Sequence, residues 1–314
     1  MRLSAFLVIG WLLACRSPLA EVDKTEFAFG SYVRLKVLAE TRPIAETAVV
    51  KAFTEVHRLD TLWSTFLPAS EVVRVNRDRV MAVRAETRDL VERALEACGE
   101  ADGALDVTIL PVSEAWGFSD GRYRVPDSVE LTAAVERVDF REVKFSGDSL
   151  LLGATVQLDL GAVAVGAAVD RVIDLLMKAG ATHGLVDAGG DIRVFGDRVW
   201  QIGIQNPRGP GVTRILRLKD RAVSTSGDYQ KYFEMDGRRY HHILDPRTGY
   251  SAKWCVSVTV LAPTAFEADA YATAAFVLGP EAAGSMLGLR PDLGAVFLLD
   301  GASSPREVTI GMTE

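Results

Sequence analysis

The stretch VQLDLGAVAVGAAVDRVIDLLMKAG, residues 156–180, changes period part-way through. Its first residues read as a strand, with one carboxylate, Asp159, set among apolar and small side chains. From about Val165 the apolar residues fall at helical spacing, and Lys178 and Gly180 supply the usual stop signals. A carboxylate left alone in such a junction costs several kcal/mol, so Asp159 is expected to be paired, hydrogen-bonded or metal-bound. Two uses stay open for it. It caps the helix that follows, or it belongs to a site where glycine and alanine let backbone amides reach a phosphate at a helix N-terminus.

Working outward, VKFSGDSLLLGATVQLDLG (143–161) reads as a hairpin punctuated by Gly147-Asp148 and Gly153. Upstream, AETAVVKAFTEVHRLDTLW (45–63) and RDLVERALEACGEADG (88–103) have helical periodicity, and FAFGSYVRLKVLAE (27–40) alternates like a strand. Between them STFLPASEVVRVN breaks the period at Pro68, while ALDVTILPVSEAWGFSDG (104–121) reads as a buried turn. Downstream, strands predominate: THGLVDAGGDIRVFG, WQIGIQNP, ILRLKDRAVSTSG, KYFEMDGRRYHHIL, CVSVTVLAP and GAVFLLDG, with a helix expected from Glu267 to about Leu278. With no repeat and no low-complexity linker, the expectation is α+β: a single intertwined domain of mixed sheets and packed helices, over residues 27–314.

Two further groups carry potential chemistry. In EADAYATAAF, Asp269 and Thr273 lie four apart on one helical face. A carboxylate and a hydroxyl so placed can supply oxygen ligands to Mg2+ while substrate phosphates complete an octahedron. An ordinary helix start, with the threonine bonded back to a carbonyl, explains the pair equally well. The small residues Ala270, Ala272, Ala274 and Ala275 suit a close approach to that helix. In HHILDPRTGYS (241–251), two of the four histidines precede turn chemistry at Asp245-Pro246 and Thr248-Gly249. Alternation turns His241 and His242 to opposite sides of a strand, one exposed and the other facing inward. A satisfied structural histidine is the plain alternative to a reactive one. The glycine pair of DAGGDI and the SGDYQ segment suit turns and specify nothing by themselves.

The chain has 314 residues, a formal net charge of −7, 48% hydrophobic and 25% charged residues, and no long basic run. That balance argues against nucleic acid or an anionic membrane surface as partner. A Walker loop, a G-x-S-x-G elbow and an H-E-x-x-H signature are all missing. The N-terminus, MRLSAFLVIGWLLACRSPLAE, reads as an export signal over residues 1–15 with a lipobox-like Leu12-Leu13-Ala14-Cys15, followed by a tether over 16–26. Lipidation at Cys15, or simple secretion, would place the protein on the periplasmic or cell-envelope side of the membrane. Cys98 and Cys255 then remain, with no metal-site spacing, and are expected as buried free thiols.

Six ordered stretches together resemble the ApbE family of FAD:protein FMN transferases. They are STFLPASEVVRVN, GALDVTILPVSEAWGF, LDLGAVAVGAAVDRV, LVDAGGDIRVFG, VSTSGDYQKYFEMDGRRYHHILDPRTGYS and SVTVLAPTAFEADAYATAAFVLG. The resemblance implies binding of FAD and Mg2+, cleavage of the pyrophosphate, and transfer of FMN to a Thr or Ser hydroxyl of a membrane or periplasmic redox protein, with release of AMP. It implies that Asp269, Thr273 and the carbonyl of Ala162 hold the metal. It implies that Phe29, Phe66, Ala104, Leu105, Asp106, Asp159, Val165 and Ile243 line the FAD site, and that His242 is the acid/base. An FAD pyrophosphatase releasing FMN and AMP, and a non-catalytic flavin-binding protein, would use the same residues. The chain departs from the family where a lysine and an aromatic are common: it has Val165 and Ala167. It also has Phe29 where a methionine is common. Losing a cation beside a diphosphate weakens binding by about 1 kcal/mol at a partly exposed site.

Overall fold

The computed structural model describes residues 18–301 and 305–312; the export signal and the lipobox tetrad with Cys15 lie outside the described residues. The chain opens with a hairpin, β1 (Ala20–Ala28) and β2 (Ser31–Ala39), turned at Phe29 and Gly30, which both have positive φ. Helices α1 (Arg42–Trp63) and α2 (Glu71–Asp78) follow, then β3 (Val80–Ala82), α3 (Ala85–Glu100), α4 (Leu110–Trp116) and α5 (Ser128–Val135). The hairpin β4 (Val143–Ser146) and β5 (Ser149–Leu152) precedes α6 (Ala164–Lys178). Next come β6 (Ala181–Ala188), β7 (Asp191–Phe195), β8 (Trp200–Gln205), β9 (Val212–Leu218), β10 (Ala222–Gly227), β11 (Tyr232–Met235), β12 (Arg238–His241) and β13 (Ser257–Ala262). Helix α7 (Ala265–Gly288), β14 (Gly294–Leu299) and β15 (Arg306–Ile310) complete it.

The α+β architecture read from the sequence holds, and within it every ladder is antiparallel. The single parallel pairing among the described residues is the isolated bridge Ile109–Gln157. Eight strands form one sheet in the order β1-β2-β6-β7-β10-β13-β14-β15. Two sequence readings change. Residues 20–26, expected as tether, are most of β1 and pair along the whole of β2. The buried turn around Leu110 contains the short helix α4, begun by Pro111 in its first turn and closed by Gly117 at positive φ.

Alternation along the strands gives the sheet two covered faces. Val33, Leu35, Val186, Ala222, Val258 and Phe297 face the main core with α1, α6 and α7. Leu38, Val194, Val223, Val296 and Leu298 face the other way, against Trp200, Ile202, Ile204, Leu216 and Leu218 of the β8–β9 hairpin. A third cluster gathers Trp116, Phe118, Leu131 and Leu244 with Phe233 and Tyr240. Cys98 and Cys255 are buried free thiols, as expected.

Helices α6 and α7 cross at their N-termini, and each supplies a carboxylate to the other's first amides, in addition to the Thr264 hydroxyl that caps α7 by accepting from the Glu267 amide at 3.2 Å. Asp170 of α6 accepts from the backbone amides of Ala265 (2.8 Å) and Phe266 (2.9 Å), and its charge is matched by Arg193 at 2.6 Å. In return Asp269 of α7 accepts from the amide of Gly166 at 3.1 Å. Helix α6 has Val163 at its N-cap and no side-chain cap of its own, so this carboxylate satisfies one of its free donors. The crossing is close enough to require glycine: a methyl group on Gly166 would collide with the Ala265 carbonyl oxygen and come within 2.9 Å of Asp269 Cβ. The alanines of α7 are thus spent on packing, with Ala268, Ala270, Ala272, Ala274 and Ala275 all fully buried. The helix runs ten residues beyond the expected Leu278 and kinks at Gly279-Pro280.

Removing one partner of a buried ion pair typically costs about 3–5 kcal/mol. Asp170→Ala is therefore expected to lower the unfolding free energy by an amount of that order in chemical denaturation, with Asp170→Asn intermediate. A loss under about 1 kcal/mol would mean that the helix crossing is held by packing alone.

Candidate functional site

Asp159 does not cap α6. Its Oδ1 accepts from the amide of Gly161 at 2.8 Å, closing a tight turn that leads into Ala162 and Val163. Burial raises its pKa, while the Gly161 amide and the charge of Lys231 pull the other way. Its backbone is pinned from two sides. The amide of Asp159 donates to the Val107 carbonyl at 2.6 Å. The side chain of Asn76 accepts from the amide of Leu158 (2.7 Å) and donates to its carbonyl (2.9 Å), imitating a strand partner. Asn76 closes the STFLPASEVVRVN stretch, whose recurrence of polar and apolar residues gives no hint of this clamp.

The Val107 contact joins this turn to the segment 104–106. There the side chains of Ala104 and Leu105 point into the core, almost fully buried. The Asp106 carboxylate is consumed internally, accepting from the Thr108 amide (2.8 Å), the Thr108 hydroxyl (2.6 Å) and the Phe140 amide (3.1 Å). This run can therefore meet a ligand through its backbone, with Asp106 as a brace. Ile243 is likewise buried in the main core. Phe29 packs on that core from the β1–β2 turn, beside Ala168 and Val169 of α6. Val165 is half-buried on the first turn of α6, and Phe66 stands 65% exposed on the loop after α1.

Around the start of α6, negative charge accumulates. Asp269 and Asp191 interact electrostatically, and Asp170 adds its charge to both. Burial first, and the neighbouring carboxylates next, push Asp191 up to about 7 and Asp269 well above the ordinary range. One oxygen of Asp269 is used on Gly166. Thr273 sits a turn further along the same face, and Ala162 lies just before the N-cap of α6. Among the described residues no three acidic, histidine or cysteine side chains form a metal cluster by themselves. A carboxylate, a hydroxyl and a carbonyl are still the hard oxygen donors that Mg2+ takes when phosphates and water fill its remaining positions. The excess of buried carboxylate over cation is the structural mark that such an ion fits here. Asp191 and Asp170 were missed in the sequence: one follows a glycine pair common to turns, and the other sits on the polar face of an amphipathic helix.

The two histidines part as alternation requires. His241 is buried, packs edge-on against Phe276 at 5.4 Å, and its Nε2 donates to the Ala252 carbonyl at 2.8 Å. Its Nδ1 has no partner. It is the structural histidine of the pair. His242 is half-buried on the opposite side, with its amide and its Nδ1 directed at the Lys231 carbonyl at 3.1 and 3.2 Å. A carbonyl only accepts, so Nδ1 carries the proton and Nε2 keeps a free lone pair. Burial, then the charge of Lys231, push the His242 pKa down to about 4, so the ring is neutral at pH 7.

The following turn is fixed by Asp245. It accepts from the amide and Nε of Arg247 (3.0 and 2.8 Å), while Trp116 Nε1 donates to the Gly249 carbonyl at 2.7 Å. Lys231 lies between the two halves of the site, its charge acting on both Asp159 and His242. It was not singled out in the sequence.

The ApbE family profile matches residues 29–297. The chain belongs to the ApbE family. It is 34% identical to the FAD:protein FMN transferase of Treponema pallidum over 90% of this chain and 86% of that protein. It is 32% identical to the Salmonella typhimurium FAD:protein FMN transferase over 94% and 90%. Among solved structures, the ApbE protein of Thermotoga maritima superposes with a TM-score of 0.86 at 32% identity, covering 93% of this chain and 97% of that one. The apo flavinyl transferase ApbE of Pseudomonas stutzeri gives 0.84 at 31%, covering 93% and 95%. This ApbE-family chain thus keeps the fold over nearly all its described length.

The depressed His242 pKa has a signed consequence. The unfolded chain, with histidine near 6.5, binds more protons than the folded one between about pH 4 and 6.5, so stability falls as pH drops through that window. His242→Asn removes this term. The stability difference between variant and parent, from urea melts at pH 5 and pH 7.5, is expected to shift in favour of the variant at pH 5. An unchanged difference would place His242 in a watery setting.

Proposed function

We propose that this chain is a Mg2+-dependent FAD:protein FMN transferase, which moves the FMN moiety of FAD to a Thr or Ser hydroxyl of an acceptor protein and releases AMP. The activity of its FAD:protein FMN transferase relatives supports the reading, and one observation carries it: His242 is neutral with a free Nε2, next to Lys231, whose charge also acts on Asp159 in the turn before α6. Asp269, Thr273 and the Ala162 carbonyl would hold Mg2+ at that turn. When bound, the ion neutralises charge on the diphosphate oxygens.

The chain's own groups do the rest. The turn at Gly161–Val163 and the uncapped amides of α6 receive phosphate oxygens, as a helix N-terminus does. Lys231 adds a positive charge on the His242 side. The acceptor hydroxyl oxygen bonds to the FMN phosphorus as the bond from that phosphorus to the bridging oxygen breaks, and AMP leaves with the bridging oxygen. The hydroxyl proton passes to His242 Nε2. The anionic diphosphate raises the basicity of that ring from its value in the free protein, which brings it closer to the working pH. The export signal and the lipobox-like tetrad at Cys15 belong to the same reading: they would hold the enzyme at the outer side of the inner membrane, near membrane or periplasmic redox proteins.

Two substitutions test the assignment. Asp269→Asn is expected to abolish Mg2+-dependent AMP release and to remove the rise in melting temperature that Mg2+ gives the parent. Retained Mg2+ response would move the metal elsewhere. His242→Ala is expected to slow flavin transfer by about 10² to 10⁴ while FAD affinity changes little; equal losses in rate and affinity would make it a binding residue.

A further inference from the structure

A cavity of about 350 Å³ lies on the face of the large sheet away from α6 and α7, between the sheet and the β8–β9 hairpin. Its floor is apolar, built from Ile192, Ile202, Ile204, Leu216 and Val223. Its mouth carries Ser31, Tyr32, Asp187, Thr225, Tyr229 and Gln230. None of the residues assigned above to FAD or Mg2+ lines it.

The backbone at this mouth is incomplete as a sheet. Strand β10 pairs with β13 over six positions, Ala222 to Gly227, but with β7 over only two, Ala222 with Arg193 and Val223 with Ile192. The β6–β7 hairpin turns at Gly189-Gly190, so β10 runs on past it. Residues Ser224–Gly227 are left with an edge that no strand covers among the described residues. At about 3.3 Å per residue this edge is on the order of 13 Å long. Across it an exposed side chain, Gln230, donates through Nε2 to the Thr225 carbonyl at 3.3 Å, and at its start Ser224 hydrogen-bonds the Asp191 carboxyl. At the rim, Tyr32 is 70% exposed and makes an edge contact with Phe27, itself 62% exposed. From the end of β10 the chain runs through Asp228, Tyr229 and Gln230 to Lys231, whose carbonyl anchors His242.

We propose that this edge and cavity are the docking site of the acceptor polypeptide. It adds in extended form along Ser224–Gly227, sets an apolar side chain flanking the acceptor residue into the cavity, and presents the acceptor hydroxyl toward His242. The inference rests on the transferase reading. A polypeptide suits the place better than a flat ring does, because an uncovered strand edge offers alternating backbone donors and acceptors, and these are matched by another backbone. Alternation also sends successive side chains of such a segment to opposite faces, so one reaches the cavity while its neighbour faces the helix side. Nucleotide and acceptor then approach from different faces of one sheet.

The test uses the full chain with FAD, Mg2+ and decapeptides bearing a central Thr or Ser flanked by varied small and apolar residues. Tyr32→Ala and Gln230→Trp alter the exposed rim and leave the core intact. The proposal expects the peptide KM to rise at least tenfold in both variants, with the FAD dissociation constant and acceptor-independent AMP release within twofold of the parent. A peptide KM unchanged in both variants, with the parent active, overturns the docking site and leaves the transferase reading standing. Loss of FAD affinity in either variant makes the cavity part of the flavin site and overturns it as well. AMP and free FMN from the parent, with no peptide labelled, overturn the transferase reading and the docking site with it.

Discussion

The reciprocal capping of α6 and α7 is the constraint on which the rest of the site depends. Asp170 closes the start of α7 and Asp269 the start of α6, across a contact that only glycine at 166 permits. The two carboxylates look equivalent in the sequence and differ in their surroundings. Asp170 has Arg193 and two amides, so its charge is settled within the protein. Asp269 has one amide and the nearby Asp191, so burial and that neighbour hold its carboxyl well above the usual range and favour its protonated form in the free protein. A fold that needed only a helix cap at this point would gain from a neutral side chain there. In the proposed reading a bound cation would take the place of the proton held there, which would link metal binding to stability by mass action.

Electrostatics on the opposite side of the α6 turn run in the reverse sense. His242 is held neutral by burial and by a neighbouring lysine, and its tautomer is imposed by a carbonyl that only accepts. One lysine thus weakens the affinity of His242 for a proton in the free protein, and in the proposed reaction it would also offer a cation to the anionic substrate. In the proposed reaction a diphosphate there would partly match the Lys231 charge and return basicity to the ring, which would couple proton acceptance to substrate occupancy without any moving part.

The regular elements were legible wherever period and punctuation agreed. The 164–178 helix, the hairpin around Gly147-Asp148 and the separation of His241 from His242 follow from spacing alone, because side-chain direction in helices and strands is geometric. Long-range closure was not legible. Residues 20–26 are polar enough to read as a tether, yet they form a strand because β2 offers a full-length partner. Asp159 had the residue type and place of a helix cap, and its bond to Gly161 closes the preceding turn instead. Asn76, Asp191 and Lys231 act through contacts 82, 78 and 11 positions away in the chain or nearer, with the partners Leu158, Asp269 and His242. No periodicity records such pairings.

The proposed division of labour between the two sheet faces bears on how transfer and hydrolysis would be separated. Every group assigned to FAD, to Mg2+ or to proton acceptance serves water as well as it serves a protein hydroxyl, so chemistry at the phosphorus cannot choose between them. The choice must come from what occupies the approach to His242 Nε2. Water at roughly 55 M is displaced only if the acceptor is held there with a high effective concentration. A flexible segment held by one side chain alone would supply little of that. A segment fixed through several backbone bonds along a strand edge, with a neighbouring side chain seated in an apolar cavity, loses its freedom before the reaction and excludes solvent as it docks. In a chain with this topology, the free edge of β10 beyond the Gly189-Gly190 turn is where that discrimination can be built.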